Sequence, residues 1–260
     1  MLYCGRVPGG LNPREGRDGG GALTTGIHQI IERQIKGWQL EAEMREQASD
    51  QKPPRQLPLR PFVAISRAFG SGGGEIARRL AENLGYQIFD REIVDVLVEE
   101  DRFRRAILDS LDERDRSSFE IWVDGLLRGS LVDKGEYLRV LIGVLGSIAM
   151  HGHAVILGRG GNFLLDPGRG LSVRIVAPMD QRIETISRLR SLPYEEAEKI
   201  VVRTDADRSA FIRRQFQREI DDPLAYDLEV NTAGIGVEAA VALIEQALRK
   251  KLGNRPHVQF

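Results

Sequence analysis

At 260 residues and 42% hydrophobic content the chain suits one large domain, or a domain with an appendage, and disorder throughout is excluded. Lys+Arg 37 against Asp+Glu 38 leaves a formal net charge of -1, so no global positive field directs the chain to nucleic acid or an anionic membrane, and any polyanion site has to be local. A single cysteine, Cys4, excludes an internal disulfide, and without a Cys/His cluster at zinc spacing a reducing, cytoplasmic setting and no structural metal are expected.

In chain order, residues 1–23 are rich in Gly, Arg and Pro and predict a disordered tail without the apolar stretch of a secretory signal. Over residues 24–48, Ile27, Ile31, Ile35, Trp38 and Ala42 recur at three- and four-residue spacing, the stripe of an amphipathic helix interrupted by Gly37. Such a stripe needs a partner, either the rest of the chain or a second copy in a homodimer through residues 27–48. Residues 49–61, with Pro53, Pro54, Pro58 and Pro61, read as an extended linker. The main domain then spans 62–252, with a tail at 253–260.

From Phe62 the pattern turns to short apolar runs separated by helical segments, which predicts a parallel sheet with crossover helices. The strands fall at 62–65, 86–89, 154–157, 171–176 and 228–230. Gly85 stands where the first crossover helix stops, and Asp90 where the next one is capped. Residues 91–150 look helical almost throughout, too long for a plain crossover, and predict an inserted helical subdomain. Its apolar run Val140 to Met150 is too short to span a bilayer. Trp38 and Trp122 fall on apolar stripes and read as packing residues; His28, His151, His153 and His257 are scattered.

The first strand leads into Ser66-Arg67-Ala68-Phe69-Gly70-Ser71-Gly72-Gly73-Gly74-Glu75 and then a helix. Glycines there let successive N–H groups turn inward, and the helix N-terminus adds partial positive charge, so Gly70, Ser71, Gly72, Gly73 and Gly74 are candidates to hold donor phosphates. A Rossmann turn fits less well, since the loop lacks the G-x-G-x-x-G spacing that would go with Asp90 as ribose ligand. Arg159 follows the strand at 154–157 directly, at the edge where open α/β sheets bind ligands, and is a candidate for an acceptor phosphate. Arg203, Arg208, Arg213, Arg214 and Arg218 crowd the region 191–222 that a lid would occupy.

The run Ile65-Ser66-Arg67-x-Phe69-Gly70-Ser71-Gly72-Gly73 with Glu75-Ile76-Ala77 resembles the opening of the cytidylate kinase-like family of P-loop kinases. Gly158-Arg159-Gly160-Gly161-Asn162-Phe163-Leu164-Leu165 is similar to a second signature, Asp205-x-x-Arg208 to a third and Tyr226-Asp227-Leu228-x-x-Asn231-Thr232 to a fourth. The resemblance implies an α/β P-loop kinase three-layer fold: a five-stranded parallel sheet, a helical acceptor-binding insertion and an Arg-rich lid. It implies transfer from ATP, with Mg²⁺, to a nucleoside monophosphate, most simply CMP or dCMP. Asp90 and Arg91 would open the acceptor segment, and Arg208, with Arg203, would face the transferring group.

Two departures stand out. Gly73 occupies the place of the P-loop lysine and Glu75 that of its hydroxyl residue, which leaves Ser71 as candidate Mg²⁺ contact and Arg67 as candidate substitute cation. Gly160 stands where classical bacterial relatives carry the acid of Gly-Arg-Asp. Beside the kinase, a nucleotide sensor or partner-binding module that lost catalysis and a kinase for a non-nucleotide acceptor stay compatible with these residues.

Overall fold

The computed structural model describes residues 20–49, 59–111, 116–117, 120–121, 123, 135–253 and 258–260. The expectations for Cys4 and the tail before residue 20, for linker residues 50–58, for Trp122 and most of 112–134, and for His257 lie outside them.

Alternation along β1 (Phe62–Arg67) decides the layers: Phe62 and Ala64 face one side, Val63 and Ile65 the other, and all four are buried. With β2 (Gln87–Phe89), β3 (Ala154–Leu157), β4 (Gly170–Val176) and β5 (Leu228–Asn231) it forms a five-stranded sheet of order β2-β3-β1-β4-β5. Every pairing is parallel; Phe62 lies beside Ala154 on one side and Gly170 on the other. The five predicted strands are therefore all present.

The Phe62 face packs against α1 (Gly20–Ser49), α3 (Arg91–Glu99), α4 (Asp101–Asp109) and α5 (Gly135–His151). The Val63 face packs against α2 (Gly73–Leu84) and α9 (Thr232–Leu252). A short α6 (Gly161–Leu164) follows β3, and α7 (Met179–Arg190) with α8 (Tyr194–Phe216) joins β4 to β5. This is the three-layer α/β architecture. The chain leaves β1 toward β2 on one side and leaves β3 toward β4 on the other, so the crevice of the sheet opens at the carboxyl ends of β1 and β3.

Local signals hold where expected. Gly85 closes α2 at φ 67°, and the Asp90 carboxylate accepts from the Ile93 N–H at 3.0 Å to cap α3. Helix α1 begins at Gly20, inside the stretch read as tail, and it runs through Gly37 without a break. Its stripe is covered by its own chain: Ile31, Ile35 and Trp38 are buried in the core shared with α3, α4 and α5. The Trp38 indole stacks on the His151 ring at 4.0 Å and on Phe89 at 5.8 Å, tying α1 to the ends of α5 and β2. Trp38→Ala is expected to destabilise the protein by about 3–5 kcal/mol, the cost of emptying a packed aromatic site, seen as a lowered urea midpoint that Trp38→Phe largely restores.

The two chain segments outside the sheet also meet. Leu59 pairs with Val258 and accepts from the Gln259 N–H at 2.9 Å, so the end of the linker and the end of the tail bind each other. Among the described residues no helix is long and apolar enough to cross a membrane.

Candidate active site

Strand β1 delivers Arg67 and then a bend with positive φ at Gly70 (84°) and Gly72 (79°) before α2 starts at Gly73. The back of the bend is saturated by the protein. Phe69 N–H donates to Asp205 at 2.8 Å, Phe69 C=O accepts from Arg182 at 3.0 Å, and Ser71 C=O accepts from the Thr232 hydroxyl at 3.0 Å. No side chain fits at Gly70, where a Cβ would stand 2.6 Å from the Arg182 carbonyl. The amides of Gly70, Gly72, Gly73, Gly74 and Glu75 find no acceptor among the described residues, as the first turn of a helix leaves them. These amides and the helix dipole give the bend the chemistry to hold an anion such as a phosphate.

Ser71 departs from its expected place. Its side chain is 3% exposed, and its hydroxyl donates to Ala68 C=O at 2.8 Å, with Ile175 C=O 3.3 Å away. The oxygen is turned into the fold, so it is not presented as a metal contact.

Beside the bend, at the carboxyl edge of β1 and β3, lies a cavity of about 790 Å³. Arg67, Arg91, Arg159 and Arg208 line it together, with Arg214 and the acids Asp95, Glu99 and Asp207. Arg159, at φ 52°, pairs with Asp95 and lies 5.1 Å over the Phe211 ring; Asp95 is also 3.5 Å from Arg91. Arg208 donates to Arg67 C=O at 2.9 Å and lies 5.3 Å over the Phe69 ring. Asp90 is spent on its helix cap and reaches the cavity only through its field. Arg203 sits on the exposed face of α8, away from the cavity walls.

The electrostatics mark an excess of cations. Burial first, then the Arg208 guanidinium, push Arg67 down to about 9; Asp90 opposes, and Arg91 and Arg159 add to the depression. Burial also lowers Arg208, Asp205 opposes, and Arg174, Arg91 and Arg182 act with the burial. Guanidinium groups stay charged, so Arg67 and Arg208 are cations drawn partly out of water with other guanidinium groups nearby, and of the two Arg208 has a carboxylate, Asp205, at 3.9 Å. Tyr137, on the same wall, is raised by burial against the pull of Arg159.

Residues 62–234 match the model of the cytidylate kinase-like family. The chain belongs to this family. It is 30% identical over 187 residues to the cytidylate kinase of Ignicoccus hospitalis (strain KIN4/I), covering 72% of this chain and 98% of that protein. An uncharacterised protein from Eubacterium ventriosum superposes with a TM-score of 0.50 at 17% identity, over 72% of this chain and 97% of the other. Shikimate kinase from Bacteroides thetaiotaomicron reaches a TM-score of 0.39 at 15% identity, over 72% and 97% respectively. Membership of this family makes the chain a kinase.

In this kinase the third and fourth signatures act on the glycine-rich bend after β1. Asp205 holds Phe69 N–H and, at 2.5 Å, the Arg182 guanidinium, while Arg208 fixes the end of β1. Asn231 caps α9 through the Ala233 N–H at 3.1 Å, which sets Thr232 to grip Ser71 C=O. Asp227 aligns β5 on β4 through the Ser172 N–H at 2.8 Å. The second signature carries Gly160 at φ 71°, where a Cβ would collide with the Phe216 ring, 2.5 Å from Cζ.

Sequence reasoning passed over Asp95, Arg182 and Arg174. Only Asp95 left a trace, at i+4 from Arg91 on one helix face. Arg174, 5% exposed on β4, donates to Ser66 Oγ at 2.8 Å and pairs with Asp221, fastening the segment after α8 to the sheet.

Proposed function

We propose that this kinase transfers the γ-phosphoryl group of ATP to the phosphate of a nucleoside monophosphate, CMP or dCMP in the first instance. The observation that supports it is the convergence of Arg67, Arg91, Arg159 and Arg208 on one cavity beside a loop of unpaired amides. The amides of Gly70 and Gly72–Glu75 would take the donor's β- and γ-phosphates. Arg159 and Arg91 would take the acceptor phosphate, exchanging Asp95 for it. Arg208 and Arg67 then flank the path between the two.

The step needs no general base, because an acceptor phosphate is already ionised at neutral pH. Its oxygen forms the new bond to the γ-phosphorus as the bond to the β–γ bridging oxygen breaks, and ADP leaves with that electron pair. The rate rests on alignment and on positive charge held around the equatorial oxygens, which four guanidinium groups in a partly buried cavity supply. The side chains here do not build a Mg²⁺ cage: the Ser71 hydroxyl faces inward, and no group of three His, Cys, Asp or Glu residues gathers among the described residues. Magnesium would arrive on the phosphates of ATP, where it neutralises charge.

Gly160 favours a second reading, a phosphorylated acceptor that is not a nucleotide, since Phe216 fills the space a base-reading acid would occupy. Purified protein supplied with Mg-ATP and each nucleoside monophosphate in turn separates the two. ADP formation dependent on CMP or dCMP is the expected result; dependence on no monophosphate, with ATP still bound, rejects the nucleotide acceptor.

A further inference from the structure

We infer that the cation of the phosphate loop has moved from the first turn of α2 to the end of β1: Arg67 fills the place left by the missing lysine, and Gly73 is glycine because the Arg67 stem runs through its side-chain space. The inference rests on the reading of the bend as a phosphate cradle, and it concerns the donor nucleotide whatever the acceptor is.

Two glycines on different elements carry it. A Cβ on Gly73 would stand 2.6 Å from Arg67 Cβ and 3.0 Å from Cγ, inside van der Waals contact with a stem that cannot withdraw from its strand. At the far end of the same side chain, a Cβ on Gly158 would run into Arg67 Nη1. One arginine therefore spans the loop, from beneath α2 to the edge of β3, and consumes the side-chain volume of both positions. The guanidinium so placed has no carboxylate at ion-pair distance among the described residues, yet it sits beside three other arginines. A cation buried without a counter-ion is costly in a fold that gains nothing from it. Arg67 lines the cavity, and a phosphate bound there would supply the counter-ion that its guanidinium lacks.

A lysine in a standard loop and Arg67 here are thus alternative occupants of one volume. The residues should trade, and trading is what a merely structural arginine would not do. The measurement is the affinity for Mg-ATP by calorimetry, without any acceptor, with melting curves to verify folding. Arg67→Ala is expected to weaken ATP about 10- to 100-fold, the loss of a charge-assisted contact. Arg67→Gln, which keeps the stem and removes the charge, is expected to lose nearly as much. Gly73→Lys alone should bind no better than the parent, because its stem meets Arg67. The double variant Arg67→Gly with Gly73→Lys, which removes the Arg67 Cβ that stands 2.6 Å from the new one as well as the stem beyond it, should recover to within about fivefold of the parent, a coupling of opposite sign to its parts. Unchanged affinity in both Arg67 variants overturns the inference. So does a double variant no better than Arg67→Ala. A parent protein that binds no ATP overturns the phosphate-cradle reading along with it, whereas ATP binding without phosphorylation of any nucleotide leaves the inference standing and rejects only the acceptor proposed above.

Discussion

Asp205→Ala is expected to lower stability by about 2–4 kcal/mol and to reduce kcat/KM for ATP by about 100-fold, although Asp205 lies outside the loop it serves. Its carboxylate holds two groups at once, Phe69 N–H at 2.8 Å and Arg182 Nη1 at 2.5 Å. Removing it strands a guanidinium that is 9% exposed and leaves the amide of a part-buried loop residue without its acceptor. Arg182 still reaches the carbonyls of Ala177 and Phe69 at 3.0 Å, so the cost falls short of a fully orphaned buried charge. The kinetic loss has a separate origin. Phe69 lies next to Gly70, and a displacement of that peptide turns the following amides away from the positions a β-phosphate requires. Asp205→Asn separates the two effects: its amide oxygen can accept from Phe69 N–H, but it carries no charge for Arg182. Asparagine should therefore restore KM for ATP more than it restores the urea midpoint. Equal recovery of both quantities would show that Asp205 acts on the fold alone.

Asp205 also illustrates how far the sequence reaches. Strands β1 and β3 were legible because parallel strands buried on both faces must be continuous apolar runs, as at 62–65 and 154–157. Asp90 and Gly85 were legible because their partners lie within four residues. The loop was legible because a cradle of amides requires glycine at Gly70 and Gly72. What the chain did not disclose are pairings across long separations: Asp205 with Phe69 at 136 residues, Arg208 with Arg67 at 141, Arg159 with Asp95 at 64. Nothing local distinguishes Arg182, buried on α7 and bracing the loop, from Arg203, exposed on α8. Ser71 misled for a related reason. A hydroxyl in a phosphate loop is a natural metal contact, but the turn that frees the neighbouring amides rotates this one onto the carbonyls of Ala68 and Ile175.

The same logic makes Gly160 the position of greatest expected sensitivity outside the loop. Gly160→Asp would give the second signature the acid that classical bacterial relatives carry, and it is expected here to reduce kcat/KM by 100-fold or more rather than to sharpen selection of cytosine nucleotides. Two costs add. The residue holds φ 71°, a left-handed conformation worth roughly 1–2 kcal/mol against a side chain, and its Cβ would stand 2.5 Å from Phe216 Cζ. Phe216 cannot retreat freely, since it stacks on Phe163 at 5.6 Å and meets the edge of Phe211 at 6.1 Å. Phe211 in turn lies under the Arg159 guanidinium, so the strain is delivered to the residue proposed to hold the acceptor phosphate. Phe216→Ala in the same chain should relieve it. Alone, Phe216→Ala costs about 3–5 kcal/mol of stability as a buried aromatic is emptied. Combined with Gly160→Asp it should recover at least tenfold in kcat/KM over the single Asp variant, a coupling that two independent lesions would not show. If Gly160→Asp is instead silent, Phe216 moves aside at little cost, and the aromatic stack does not set the position of Arg159.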